Sequence, residues 1–294
     1  MNKKLIALAV AAASFSGVAA AAEVYSSDTG ALAIGGRAET RAFFTDGDLA
    51  DGTRARINVA GTSVITDNLS AVAFTEFEYN PSSAFTGRHA YAGFAGDFGQ
   101  ITYGQQDGSL GVVTDISDIF FVSGGANSSK INVADRTTNN LLYINNFNGL
   151  NVKANYKFEE GQEKNAGFSA SAMYDVAGFT FGAGYAQQDA NGSDAKQIVV
   201  GAAYSIDNIY LGLTFNDSND AAGNIQEGIE FAAMYTMGKT HFGAGYMTEK
   251  DYDGVATLEI GHKFNSNLRG AIAADIDLEE SDDTTIAVQL RYDF

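Results

Sequence analysis

Apolar and polar residues alternate one by one through much of this chain. In the last segment Ile286, Val288, Leu290, Tyr292 and Phe294 fall on one side, and Thr285, Ala287, Gln289, Arg291 and Asp293 on the other. Successive side chains of a strand point to opposite faces, so this segment reads as a strand with one apolar and one polar face. The same period sets Leu150, Val152, Ala154, Tyr156 and Phe158 against Asn151, Lys153, Asn155 and Lys157. It also sets Ile209, Leu211, Leu213 and Phe215 against Tyr210, Thr214 and Asn216. Marked throughout, the alternation predicts sixteen strands: 31–44, 52–66, 69–80, 86–96, 99–105, 138–146, 149–158, 165–176, 178–189, 195–206, 208–217, 225–237, 239–249, 252–264, 266–278 and 283–294.

A soluble sandwich would show the same period. Charge in the middle of the polar faces suits a wet lumen better, and aromatics at the ends of the apolar faces suit the interfacial girdles of a barrel in lipid. The expected fold class is therefore all-β: a 16-stranded antiparallel transmembrane barrel. Its connections alternate in kind. Seven are tight Asx/Gly turns, at 66–68, 96–98, 146–149, 176–178, 206–208, 237–239 and 265–267. The others are longer and acidic, including 46–51, 189–194, 217–224 and 279–283. Short turns face the periplasm and long loops the outside. The run Asp189-Ala190-Asn191-Gly192-Ser193-Asp194 resembles the start of a calcium loop, but its Gly is misplaced and no distal Glu follows. It reads as a solvated loop, and no metal site or cofactor is expected.

One connection is different. Some thirty residues, from Gln106 to about Thr137, separate neighbouring strands, and they carry Leu110, Val112, Val113, Ile116, Ile119, Phe120, Phe121 and Val122. A connection that long inside a compact domain is functional or disordered, and its apolar content argues against disorder. The lumen of a 16-stranded barrel is wide enough for an aqueous channel. An inward-folded third external loop would narrow it.

Composition adds the compartment. Lys3 and Lys4 precede an apolar stretch from Leu5 to Val18 and small residues up to Ala22, the pattern of a cleaved export signal. Cleavage after Ala22 is expected, with Ala20 as the alternative, leaving 23–294 as the barrel domain. No later segment approaches the ~20 continuous apolar residues of a spanning helix. Cys is absent, so no disulfide or thiolate metal site can form. The net charge is −18, and two units more negative once Lys3 and Lys4 leave with the leader. Such a surface would repel nucleic acid.

The strand–turn–strand block Thr86-Gly87-Arg88-His89-Ala90-Tyr91-Ala92-Gly93-Phe94-Ala95-Gly96-Asp97-Phe98-Gly99-Gln100-Ile101-Thr102-Tyr103-Gly104 resembles the trimeric general porins of gammaproteobacteria, including those of enterobacteria and vibrios. Ile34-Gly35-Gly36-Arg37, Arg56-Ile57-Asn58-Val59-Ala60-Gly61, Phe77-Glu78-Tyr79-Asn80 and the terminal aromatic Phe294 are similar too. The resemblance covers essentially the whole chain beyond the leader. It implies a homotrimer in the bacterial outer membrane, surrounded by lipid and lipopolysaccharide, with Phe294 as the signal for the barrel-insertion machinery. It also implies an eyelet formed by the third loop and the facing wall. Arg37, Arg56, Arg88 and Arg136 would form the basic wall, with Glu78 beside it. Asp118 and Asp115 would form the acidic side. Parity supports the inward placement of Arg56, since Ile57, Val59 and Ile65 take the lipid side, and a mid-depth arginine facing lipid would cost about 2–4 kcal/mol. The family's Pro-Glu-Phe-Gly-Gly tip is replaced here by Phe121-Val122-Ser123-Gly124-Gly125. The eyelet would thus lose a carboxylate at Val122 and gain apolar surface from Phe120, Phe121 and Val122.

The expected function is passive: diffusion of small hydrophilic solutes and ions, with a mild cation preference from the acidic loops. The alternative is a substrate-selective channel, for example for oligosaccharides, stacking them on Phe74, Tyr210, Phe120 and Phe121. An enzyme is not expected. His89, His241 and His262 are scattered, the first and last at lipid-facing parity, and no Ser/His/Asp arrangement is suggested. A purely adhesive or structural barrel would need no packed inward loop.

Overall fold

The computed structural model describes residues 21–81, 83–123, 129–159, 161, 164–190, 193–219, 225–250, 252–279 and 284–294. Its strands are β1 Ala22–Ser27, β2 Gly30–Thr45, β3 Asp48–Asp51, β4 Arg54–Thr66, β5 Leu69–Asn80, β6 Ser83–Gly96, β7 Gly99–Asp107, β8 Arg136–Phe147 and β9 Leu150–Lys157. They continue as β10 Gly167–Val176, β11 Phe179–Ala190, β12 Ser193–Ile206, β13 Ile209–Asn219, β14 Ile225–Met237, β15 Thr240–Glu249, β16 Tyr252–Lys263, β17 Leu268–Asp277 and β18 Thr284–Asp293.

β2, β4 and every later strand pair antiparallel with their neighbours in sequence order, and β18 closes the ring on β2. That ring is the sixteen-stranded barrel the alternation predicts, with no free edge for water or lipid to unpick. β1 and β3 are in-line supplements. β18 covers Arg37–Thr45 of β2, and β1 continues along the same edge over Gly30–Ile34. β4 covers Gly30–Glu39 on the opposite edge, and β3 extends it over Ala42–Thr45. The acidic run 46–51 is thus a two-residue turn followed by a short strand rather than an open loop. The end-to-end meeting of β18 with β1 is held by Phe294, whose N–H and carbonyl pair with Gly36 at 3.0 and 2.8 Å.

One side of every ring strand is apolar and exposed to the surroundings. Ile57, Ile101, Phe181, Leu213, Phe231, Leu258, Ile260, Ile272 and Val288 stand outward at mid-strand. Aromatics gather near the tight-turn end, where Phe98, Phe147, Tyr174, Phe179, Tyr235, Phe264, Tyr292 and Phe294 are exposed. A second row, with Phe44, Tyr79, Phe85, Tyr156, Phe158 and Phe168, marks the other end. Rings stack within each row, Phe179 on Tyr204 at 4.4 Å and Phe77 on Phe85 at 5.3 Å between centroids. In water such a surface would drive aggregation; in a bilayer it is the solvent-matched side, bounded by two interfacial girdles.

The tight turns lie between strands as expected. In the β8–β9 turn Asn148 and Gly149 take φ of 53° and 94°. That left-handed geometry matches the twist of the flanking strands, and Asn and Gly adopt it at low cost. At the other end β11 and β12 remain paired as far as Ala190 and Ser193. The candidate calcium run 189–194 is therefore mostly ladder, although its Asn191 and Gly192 lie outside the described residues.

Candidate functional site at the lumen constriction

The long connection between β7 and β8 lies against inward-facing side chains. The bond from the Gly108 N–H to the Asp135 carbonyl, 2.7 Å, closes its base. A short helix, α1 (Gly111–Thr114), and a 3-10 turn at Asn132–Ala134 give it local structure. Leu110, Val113, Ile116, Val133 and Ala134 are buried against Ala186, Val199 and Ala203 of β11 and β12. The strands make room with glycine. A methyl group at Gly201 would sit 2.7 Å from Ile116, and one at Gly243 2.5 Å from Phe120. Gly182, Gly184, Gly212 and Gly245 face the loop in the same way.

A loop without secondary structure must satisfy its backbone polar groups elsewhere. Here the wall does so. Gln188 and Gln197 accept the N–H groups of Val133 and Ile131 at 3.0 and 2.9 Å. Asn155 donates to the Val133 carbonyl at 2.9 Å, Ser171 to that of Ser109 at 2.7 Å, and Tyr210 to that of Ile116 at 2.7 Å. The loop tip reaches the far strands. Glu259 of β16 accepts from the N–H groups of both Phe121 and Val122, at 2.8 and 2.9 Å. His241 of β15 lies 2.8 Å from the same carboxylate. Gln289 of β18 donates to the Phe121 carbonyl at 2.8 Å, and Ser123 bonds Asp275 of β17.

This changes the expected role of the tip. Phe120 packs over Gly243 and Gly245. Phe121 lies edge-on to His241, 4.3 Å between ring centroids, with the Arg269 guanidinium 4.4 Å from its ring centre. Val122 is buried with Ala271, Ala273 and Ala287. The three apolar residues therefore dock the tip on the wall instead of lining the open channel. Gly124 and Gly125, the rest of the tip motif, lie outside the described residues.

Asp115 and Asp118 remain exposed on the loop. Enclosure by the surrounding protein, together with the charge of Asp118, pushes the Asp115 carboxyl up to about 6. Enclosure also raises Asp118, against the pull of Lys130 and of Arg41 from β2.

The basic side is a seam across β17, β18, β2, β4, β5 and β6. Inward positions there carry Arg269, Arg291, Arg37, Arg41, Arg54, Arg56 and Arg88, interleaved with Asp293, Glu39, Glu76 and Glu78. Arg56 pairs with Glu78 at 2.5 Å, and Arg88 reaches Glu76 at 2.8 Å and Glu78 at 3.5 Å. Arg291 pairs with Asp293 at 2.5 Å. A cavity of about 220 Å³ opens among Arg37, Arg56, Arg88 and Arg291. Arg37, Arg56, Arg88 and Glu78 are thus brought together. Arg136 is not among them: it starts β8, opposite Asp107 in the ladder, outside this network of ion pairs.

The motifs single out neither Arg41, Arg54, Arg269 and Arg291 nor Glu39 and Glu76 as site residues, although the period sets Arg291 on a polar face. Their signal was the parity already used for Arg56. His89 faces inward, against the lipid-side expectation, because it shares parity with Tyr91, an aromatic that itself turns inward onto Phe74. A bulge leaves Arg88 unpaired between the Glu76–His89 and Phe77–Gly87 positions. The extra residue lets Arg88 face inward beside its neighbour His89, which bonds Asp107 at 3.1 Å. Its ring joins Phe74 and Tyr91, at 5.8 and 6.5 Å between centroids.

Comparison with known proteins agrees with this architecture. Residues 7–294 match the family model described as Gram-negative porin. The chain is 40% identical to Porin-like protein L of Photobacterium profundum and 35% identical to Outer membrane protein U of Vibrio parahaemolyticus, each alignment covering the whole of both chains. The fold superposes on Salmonella typhi OmpF, solved in complex with daunomycin, with a TM-score of 0.79 at 21% identity, covering 93% of this chain and 100% of that one. The match joins a closed barrel with a lipid-suited outer face, a loop packed on the inner wall and a charged lumen: the chain belongs to the Gram-negative porin family of outer-membrane channel proteins.

Proposed function

We propose that this porin is a passive diffusion channel for small hydrophilic solutes and ions, with a mild cation preference, and that it works as a homotrimer. The observation that carries the reading is the pair Asp115 and Asp118, exposed on the loop while the arginine seam lies on another sector of the wall. Solutes would cross a transverse field between opposite charges, which favours polar, hydrated species over apolar ones. Four carboxylates offset part of the charge of the seam's seven arginines, and the cation preference is drawn from Asp115, Asp118 and the acidic external loops of a chain whose net charge is −18.

The oligosaccharide reading gains less support. Tyr210 is bonded to the loop, Phe74 is buried with Tyr91, and Phe120 and Phe121 are docked on the wall. None is presented as a free stacking platform.

Supporting the trimer, the outward faces of β2 and β4–β6 are unusually small. Gly61, Ser63, Ala71, Ala73 and Ala92, flanked by Leu32 and Phe94, line a shallow depression. Small residues let neighbouring walls approach closely in lipid. Residues 1–22 are inferred to leave as an export signal, with cleavage after Ala20 as the alternative. Phe294 is inferred to serve the insertion machinery, and lipopolysaccharide to surround the outer rim.

Purified protein in planar bilayers tests the reading. Conductance should appear in groups of three equal steps, with a reversal potential of mild cation sign in a salt gradient and no block by maltose-type sugars. Clear anion preference, or micromolar sugar block, would contradict it.

A further inference from the structure

We propose that Glu39 is a specificity-determining residue of this channel, the carboxylate that tempers the pull of the arginine seam on anions and ties that seam to the loop tip. The inference rests on the diffusion-channel reading above. Glu39 lies at the centre of a cross of arginines. Arg37 and Arg41 stand two residues away on either side in β2, and Arg54 and Arg291 stand opposite it on β4 and β18. Its side chain is fully covered. Arg54 donates to it through Nε at 3.1 Å and reaches it through Nη2 at 3.0 Å; Arg37 Nε lies at 3.3 Å, and Arg41 Nε also contacts it. Gln289 joins the same oxygen at 3.3 Å and, from the same amide nitrogen, bonds the Phe121 carbonyl at 2.8 Å. One carboxylate therefore links three guanidiniums on the wall to the tip of the constriction loop.

The other carboxylates of the seam serve fewer partners. Glu78 contacts Arg56 and Arg88, and Glu76 contacts Arg88 and His89. Removing the Glu39 charge leaves Arg37, Arg41 and Arg54 as a like-charged group, and solution anions become their natural counter-ions. One unit charge at contact range through water changes ion occupancy about fivefold.

The test uses full-length protein in planar bilayers under a potassium chloride gradient. Glu39→Gln should move the cation-to-anion permeability ratio about fivefold toward anions, and Arg54→Gln should move it in the opposite direction. The double variant should return to within about twofold of the parent, as should Glu39→Asp, which keeps the charge. Asp46→Asn, at the Asp46–Gly47 turn between β2 and β3, is the comparator for acidic loops. A Glu39→Gln shift no larger than that of Asp46→Asn would overturn the proposal. If Glu39→Gln does not assemble, an unmoved ratio in Arg54→Gln overturns it equally. A parent protein that conducts no ions would instead overturn the diffusion reading itself.

Discussion

The inner wall of this barrel is built in two unlike sectors. From β17 through β18 and β2 to β6 the inward positions include the arginines and carboxylates of the seam. From β10 to β15 they include Ser169, Ser171, Gly182, Gly184, Gln188, Gln197, Gly201, Gly212, Thr214 and Gly243. Both sectors present the same apolar alternation to lipid. The difference lies wholly in the inward residue. Bulky charges fill much of one sector, where the loop touches only through its tip on β17 and β18; missing side chains and short donors make the other the bed for the rest of the loop. A barrel of uniform inner chemistry would have nowhere to seat a thirty-residue connection, and its loop would have to sit in the water it is meant to confine.

Filling the bed should give the largest effect. Leu110 and Ile116 occupy the space over Gly184 and Gly201. Gly184→Leu with Gly201→Leu should expel the loop and raise single-channel conductance at least about twofold, because conduction follows the open cross-section. Unchanged conductance would show that the loop does not narrow the channel.

Loosening the tip should matter less. Glu259→Ala removes the acceptor for two backbone N–H groups and leaves His241 without its partner. Unsatisfied buried donors cost about 1–3 kcal/mol each, so the thermal transition should fall and open-channel noise should rise. A variant as stable and quiet as the parent would mean that the tip is held by its other contacts, the packing of Phe120, Phe121 and Val122 and the bonds to Gln289 and Asp275.

The smallest expected effect is a titration. Asp115, with its carboxyl near 6 because of enclosure and Asp118, is charged at pH 8 and protonated at pH 4.5. Cation preference should therefore fall as pH drops through 6, with Asp118, Lys130, Lys153 and Asp107 as the other charges acting on Asp115. The stability consequence has the opposite sense to an ordinary paired carboxylate. A raised carboxyl favours folding in its protonated form, so its ionisation weakens the fold as pH rises. Asp115→Asn should flatten the selectivity profile between pH 5 and 7, measured by reversal potential, and should not destabilise the barrel at pH 8.

The outer face was far more legible in the sequence than the inner one. Lipid imposes one rule on every outward residue, so all sixteen ring strands could be placed within a few residues. β1 and β3 were not, because Ala22–Ser27 and Asp48–Asp51 lack the apolar alternation and complete an edge begun by another strand. The site was half legible. Arg37, Arg56, Arg88 and Glu78 came from short motifs, and parity alone could have added Arg41, Arg54 and Glu39. The bulge that lets Arg88 face inward beside His89 leaves no period-2 signal, since it breaks the period, and an inward Tyr91 hides the parity of His89. The docking of Phe121 on Glu259 and Gln289 was out of reach for another reason: the partners lie more than a hundred positions away, and only barrel closure brings them together.

The central claim is that segment 107–135 carries an acidic face inside the conducting lumen. The chain has no cysteine, so a single Asp118→Cys substitution provides a unique handle. Reaction with a bulky, water-soluble methanethiosulfonate reagent should abolish most of the single-channel current, and a reducing agent should restore it. Labelling that goes to completion and leaves the current unchanged would place Asp118 outside the ion path and contradict the account.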